Sequence, residues 1–349
     1  MLALQAVTPH RLVEAVPGLT LAEARKVIAQ VHRGEPVAAS SSVRCVSAAA
    51  VRAAGSVPEL AIIDETASRI DPFVKYVCAS AGARFETVRI PLENPDRFTA
   101  CVSSQVGCAL GCAFCATGRL GLLRNLAAWE IVEQVRVVRA RLPRGRVHGV
   151  VFQGMGEPLA NLDSVLEAIA VITEPCALAI DARAITVCTA GLPSGIRRLA
   201  IEAPNVRLGL SIASAIAAHR KRVMPIADRH ELGDVLEAVA FHATTTRLAP
   251  MWAVTLLDGV NDSEGDARAL VDRARAFTEA TGLRPRISIV AYNSIAADDP
   301  FARSPREATF RDVLARANLA SHRRYSGGGD VAAACGQLAN TLATSPAPS

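Results

Sequence analysis

Aromatic residues make up only 4% of this 349-residue chain. So few rings argue against the stacking platform that many single-strand nucleic-acid binders build from Phe, Tyr and Trp. Lysine is scarcer still: three of the 38 basic side chains are lysines (Lys26, Lys75 and Lys221) and the remaining 35 are arginines. Arginine pairs bidentately with phosphate and stacks on bases, so this excess suits a nucleic-acid substrate, while a GC-rich genome would leave the same bias. The net charge of +5 does not choose between the two. No stretch approaches the ~20 apolar residues that a membrane span needs, and the opening run MLALQAVTPHRLVEAVPG has no apolar core of the kind a secretory signal requires. These absences predict a cytoplasmic protein without a membrane partner. The cysteines number 9, an odd count that is a poor fit to a disulfide framework.

Three of those cysteines stand together. Cys108, Cys112 and Cys115 are spaced CxxxCxxC in the run CVSSQVGCALGCAFCATG, and the glycine-rich GMGEP follows about forty residues on. A [4Fe–4S] cube takes one thiolate per iron, so three close cysteines hold three irons and leave the fourth open for an external ligand. A structural zinc site is closed by four ligands, usually two CxxC or Cys/His pairs, and no second pair lies nearby. The spacing therefore predicts an iron–sulfur cluster and radical chemistry.

The chain reads as two main units and a tail. Residues 1–95 form an accessory or RNA-docking unit, with helices over Leu21–Arg33 and Ala48–Ala54 and short strands over Leu60–Asp64, Val74–Ser80 and Phe85–Ile90. Residues 96–331 alternate short β runs with longer helical ones. Asn125 is a plausible cap for a helix from Leu126 to about Leu142. Strands are expected at Val147–Gln153, Ile185–Cys188, Val206–Ser211, Met251–Leu257 and Arg286–Ala291, with helices at Glu231–Thr245 and Ser263–Thr281. Repeated β/α units of this kind imply an α/β fold with a parallel sheet, open or partly closed as a barrel of about six strands. Its site should lie at the C-terminal ends of the strands, where GMGEP falls. Residues 332–349 read as an alanine-rich helix over Ala332–Leu342 followed by a disordered tail.

The segments CVSSQVGCALGCAFCATG, GMGEPLANLD, LLDGVND and AAACGQLA resemble, in order and spacing, the radical S-adenosylmethionine RNA methyltransferases that methylate adenine in 23S ribosomal RNA. RFETVRIP at Arg84–Pro91 matches more loosely. The resemblance implies a partial radical S-adenosylmethionine barrel. Cys108, Cys112 and Cys115 would hold the [4Fe–4S] cluster, whose open iron takes the amino and carboxylate groups of S-adenosylmethionine. Gly156, Glu157, Ser211 and Asn293 match cofactor-contacting positions, and Cys188, Ile212 and Ala213 fall in the same pocket. Cys335 matches the cysteine that is methylated by a first S-adenosylmethionine. Cys101 matches the thiol that later resolves the protein–RNA adduct by a disulfide, and Glu86 a proton acceptor.

Carbon 2 or carbon 8 of adenine is electrophilic and has no useful lone pair, so polar attack on a methylsulfonium fails there and a radical route is needed. The resemblance further implies an RNA partner (23S ribosomal RNA, with transfer RNA as a further candidate), an electron donor such as flavodoxin or ferredoxin, and a monomer. Four positions depart from the family pattern: Ala213 replaces a histidine, Ser294 a proline, and Gly329 and Ala332 leave Asp330 without a second acidic neighbour. A carbon-8 methyltransferase, a radical enzyme acting on a non-RNA substrate and a non-catalytic iron–sulfur protein are the competing readings. Retention of both Cys101 and Cys335 opposes the last two.

Overall fold

In a computed structural model, residues 1–338 are described. The chain opens with β1 (Leu2–Ala3), α1 (Pro9–Ala15), α2 (Leu21–His32), α3 (Cys45–Ala54) and β2 (Gly55–Ser56), which pairs parallel with β1. A reciprocal cap starts α2: the Glu23 amide donates to Thr20 Oγ1, and the Glu23 carboxylate accepts from the Thr20 amide at 3.1 Å. Val27, Ile28 and Val31 of α2 pack with Leu12 and Val51 into a small apolar cluster of this segment's own.

Ten of the remaining strands form one sheet, and two form a separate pair. β3 (Ala61–Ala67), β4 (Val74–Ser80) and β5 (Ala83–Pro91) are antiparallel, and β5 pairs antiparallel with β6 (Arg97–Val102). After β6 a short antiparallel pair, β7 (Gln105–Gly107) and β8 (Leu122–Asn125), brackets the cysteine loop and α4 (Ala116–Arg119). Then α5 (Ala128–Ala140), β9 (Arg146–Phe152), α6 (Leu162–Thr173), β10 (Ile185–Thr189), α7 (Pro193–Glu202), β11 (Arg207–Ser211), α8 (Ala217–Val223) and α9 (Leu232–Thr246) follow. They lead to β12 (Met251–Leu256), α10 (Glu264–Thr281), β13 (Arg286–Ala291), α11 (Glu307–Arg316) and β14 (Ser321–Arg324). The strand order is β14-β13-β12-β11-β10-β9-β6-β5-β4-β3, parallel from β6 through β14 and antiparallel beyond. The parallel strands read as continuous apolar runs because helices cover them, as in Ile287, Ile289 and Val290 of β13, each almost fully buried.

The fold is thus the expected α/β sheet with a parallel run, one strand longer than the six anticipated. The extra strand, β14, is only four residues and reads SHRR, so it carries no apolar signal. The boundary expected near residue 95 falls between β5 and β6, which are neighbours in the sheet, whereas the apolar cluster that stands apart reaches only to Val51. Asn125 ends β8 instead of capping a helix, because its side chain already accepts from Gln105 Nε2 at 2.8 Å. α5 begins at Ala128, where the Glu130 carboxylate takes the Ala127 amide at 2.8 Å. Among the described residues no helix is long and apolar enough to cross a membrane.

Gly107 closes the β7–β8 pair at φ +77, and a Cβ there would lie 1.9 Å from the Gly121 carbonyl oxygen. Gly107→Ala is expected to cost about 2 kcal/mol or more, read as a lower denaturant midpoint of the cofactor-free protein. An unchanged midpoint would mean that the cysteine loop is not held by this turn.

Candidate active site

The C-terminal ends of β6 and β9 are stitched together by backbone. Gly154 donates to the Val102 carbonyl at 3.1 Å, and the amides of Ser104 and Gln105 donate to the Met155 carbonyl at 2.9 and 3.2 Å. Met155 N–H returns a bond to Ser103 Oγ at 3.0 Å, and Glu157 N–H one to Gln105 Oε1 at 2.8 Å. Gly156, at φ +97, permits the approach, since a Cβ would meet the Gln105 side chain at 2.5 Å. This places the glycine-rich loop against the segment that leads into Cys108.

Cys108, Cys112 and Cys115 border one cavity with Gly156, Glu157, Cys188, Ser211 and Cys335. The loop carrying the three thiols is pinned by Cys108 N–H to the Gly121 carbonyl at 2.8 Å and by Ala113 N–H to the Val223 carbonyl at 3.0 Å. Burial pushes the Cys108 thiol up to about 11 and raises Cys112 and Cys115 as well. Protonated thiols of this kind release protons when a metal takes them as thiolates. Among the described residues no three His, Cys, Asp or Glu side chains converge as a single metal ion would require. A cluster makes a different demand, because each thiolate binds its own iron, and three soft donors around one cavity fit it. A larger groove of about 740 Å³ lies between α1 and α6, lined by residues such as Arg11, Glu14 and Asp163, and contains none of this chemistry.

Glu157 is buried, and its carboxylate accepts from the amides of Leu159 at 3.1 Å and Ala190 at 2.9 Å. Those bonds fix its orientation and leave lone pairs for an ammonium donor. Burial outweighs them and raises its pKa to about 6. Ser211 faces the cavity. Ile212 and Ala213 do not border it: Ile212 is fully buried, and Ala213, at φ +57, packs with Met224 and Val260 behind it. Arg220 is buried and donates to the carbonyls of Ser211, Ile212 and Ala190, tying the ends of β10 and β11. Arg323 is paired with Glu307 at 3.2 Å on the surface.

The segment 325–338 crosses the mouth of the sheet as a strap. Cys335 stands on a turn, after a short 3-10 turn at Gly329–Val331 and a left-handed Ala332, so the helix expected over Ala332–Leu342 is not formed in its described part. Glycines at 327–329 and the left-handed residue break helical hydrogen bonding; residues 339–349 lie outside the described residues. Asn293 Nδ2 donates to the Cys335 carbonyl at 3.2 Å, and Cys335 N–H donates to Ser326 Oγ at 2.9 Å. Two aspartates fasten the strap reciprocally to the β3–β4 loop. Asp71 accepts from Tyr325 Oη and Gly328 N–H, both at 2.8 Å, and Asp330 accepts from Ser68 Oγ at 2.7 Å and Arg69 N–H at 2.8 Å.

Behind the strap a second, smaller chamber is lined by Phe73, Val88, Ile90, Cys101, Arg324 and Cys335. Cys101 is buried, and burial pushes its thiol up to about 12; the thiol of Cys188 is raised to about 12 for the same reason. All nine cysteines are free thiols, so the disulfide implied for Cys101 and Cys335 is absent in this state. Glu86 is fully buried and paired with Lys75 at 3.1 Å, not solvated as a lone surface glutamate would be. It shares a face of β5 with Val88 and Ile90, two and four residues on. Sequence reasoning missed Lys75 and Asp71 as site components, and gave Arg324 only as one of two neighbouring arginines, with Arg323, able to meet phosphate near the reacting base. Of the missed pair only Lys75, a charge inside the apolar run FVKYVC, left a trace.

Residues 102–241 match the radical SAM superfamily. A probable RNA methyltransferase of Sorangium cellulosum is 53% identical over 95% of this chain and 91% of its own length. The chain belongs to the radical SAM RNA methyltransferases. The dual-specificity RNA methyltransferase RlmN of Syntrophobacter fumaroxidans is 42% identical over 74% of this chain and 73% of its own. The crystal structure of a radical SAM methyltransferase from Sphaerobacter thermophilus superposes with a TM-score of 0.86 at 31% identity, covering 97% of this chain and all of that one. For this methyltransferase the family implies a [4Fe–4S] cluster and S-adenosylmethionine, which the thiols and carboxylate of the larger cavity suit chemically.

Two outcomes check this geometry. Replacing Asp71 and Asp330 by alanine should raise hydrogen exchange across residues 326–338 at least tenfold and leave exchange in β9–β11 unchanged; equal strap protection would show that the aspartates do not hold it. For Glu157, a folded pKa near 6 against an ordinary 4.5 means that the folded protein binds the proton more tightly, so its contribution to stability is present below 4.5 and lost as pH rises through 6. That amounts to about 2 kcal/mol between pH 4.5 and 7. In cofactor-free protein, Glu157→Gln should flatten the pH slope of unfolding by this amount, and parallel slopes would contradict it.

Proposed function

We propose that the enzyme methylates a ring carbon of adenine, carbon 2 in 23S ribosomal RNA and also in transfer RNA, through a methyl group carried on Cys335. The observation that carries this reading is the position of Cys335 in the wall of both cavities. A carrier has to face the cofactor to be loaded and the substrate to be unloaded. When bound, a [4Fe–4S] cluster and S-adenosylmethionine supply the methyl group and the one-electron chemistry that a carbon without a lone pair demands; a flavodoxin or ferredoxin suits as reductant.

Each residue then has a defined task. Cys108, Cys112 and Cys115 hold the cluster, and Gly156, Glu157 and Ser211 contact the cofactor. Asn293 fixes the Cys335 backbone. Once the methylene on Cys335 is bonded to the ring, the odd electron of the adduct would pass to the one-electron carrier that a bound cluster supplies, and Glu86 would take the proton from the reacting carbon. Cys101, as thiolate, attacks Cys335 Sγ. An S–S bond forms, the S–CH2 bond breaks, and its electron pair stays on the carbon, which takes a proton to become the methyl group. The pair is thiol in the resting protein and a disulfide only within turnover.

Cys335→Ala should leave the cluster absorption intact and abolish methyl transfer to RNA. Cys101→Ala should accumulate a covalent protein–RNA adduct on a denaturing gel. Nucleoside mass spectrometry with labelled S-adenosylmethionine reads the product: 2-methyladenosine is expected, and 8-methyladenosine would move the reaction to carbon 8. Undiminished RNA methylation by Cys335→Ala would overturn the carrier role.

A further inference from the structure

The chamber behind the strap contains one charged group that none of these tasks uses. Arg324 is the last residue of β14, the edge strand, where it pairs in register with Val290 of β13. Cys101 lies on β6, at the other end of the parallel run, yet both border the same chamber. The sheet therefore curls until its two ends face each other across this space. Phe73, Val88 and Ile90 give the chamber an apolar wall, and Cys335 closes it from the strap.

Arg324 borders that chamber, and its Nη1 is buried with no hydrogen-bond partner among the described residues. Burial opposes its charged form, and the neighbouring sulfurs of Cys335, Cys188 and Cys101 favour it. A buried donor left unpaired costs a folded protein on the order of 1–3 kcal/mol, more when charged. Such a group is retained where an acceptor arrives with the substrate, because the bond then forms only in the complex. Guanidinium also suits the edge of a flat heterocycle: it is planar, permanently charged and donates in a fixed fork.

We propose that Arg324 is the base-recognition residue of this site, donating through Nη1 to an acceptor nitrogen adjacent to the reacting carbon of an adenine ring. The ring lies against Phe73, Val88 and Ile90 with that carbon toward Cys335. This deepens the adenine reading and rests on it. Both carbons at issue are flanked by ring nitrogens, so the same donor serves either. A site built to hydrogen-bond a ring nitrogen rejects a base without it, since the guanidinium would then stay buried and unpaired.

The test uses the full-length, cluster-loaded enzyme and bulk ribosomal and transfer RNA from cells lacking it, comparing Arg324→Met and Arg324→Lys with the parent. Methylation of Cys335, read as a gain of one methyl group in the intact mass without RNA present, should proceed within threefold of the parent in both variants. Transfer to RNA should fall at least 100-fold in kcat/KM for Arg324→Met, with partial recovery in Arg324→Lys. In the Cys101→Ala background, Arg324→Met should also lose the trapped protein–RNA adduct. Thermal unfolding of cofactor-free Arg324→Met should occur at the parent temperature or above, since an unpaired buried charge has been removed. RNA transfer within threefold of the parent would overturn the proposal. So would a parallel loss of Cys335 methylation, which would assign Arg324 to the thiols, or a marked drop in unfolding temperature, which would make it a structural residue. Absence of any methyladenosine from the parent enzyme would instead remove the adenine reading, and this assignment with it.

Discussion

Asp71 and Asp330 hold a fourteen-residue strap across the mouth of the sheet, and the relation between the two cavities depends on that attachment. Each carboxylate accepts two hydrogen bonds from the opposite segment, so the contact is reciprocal. A short segment rich in glycine has little intrinsic order, and its backbone entropy must be offset by bonds made at its ends. The two aspartates fasten its first half, and Asn293, Ser326 and the Ala116 amide fasten the turn around Cys335. Without them the thiol would have no fixed place between the cofactor side and the substrate side.

Buried charge marks the same region. Arg220 satisfies three strand-end carbonyls, and Lys75 and Glu86 neutralise each other inside the antiparallel extension. Arg324 differs from both in its place: it borders the chamber that Cys101 and Cys335 share, and its Nη1 has no hydrogen-bond partner among the described residues. Buried ions are expensive unless paired, so their clustering at strand ends, where the chemistry sits, separates them from the apolar layers that stabilise the fold. The apolar material is concentrated between the sheet and its covering helices, as in Val150, Val187 and Leu210.

The α/β alternation was legible because parallel strands buried on both faces leave apolar runs, and helices such as Glu264–Thr281 keep one apolar stripe. The strand at Arg286–Ala291 emerged with the bounds its run suggested. β14 was invisible because an edge strand of four polar residues has no burial to record. The alanine run before Cys335 pointed toward helix on propensity, but neighbouring glycines and the tertiary bonds of the strap override such a preference. Asn125 has the chemistry of a cap, and its side chain was claimed by Gln105 instead.

By itself the sequence determined the donor set: three thiols at CxxxCxxC spacing, a glycine-rich turn with an acidic residue after a strand, and two further cysteines far apart in the chain. Local spacing suffices for these because one loop carries the three thiols and one turn carries the carboxylate. Only the tertiary structure decided that Cys101 and Cys335 share a chamber, that Glu86 is ion-paired, and that Arg324 reaches across from the opposite end of the parallel run. Those relations depend on the curl of the sheet and the docking of the strap, which arise from contacts between residues more than 200 positions apart and leave no periodic signal in the chain.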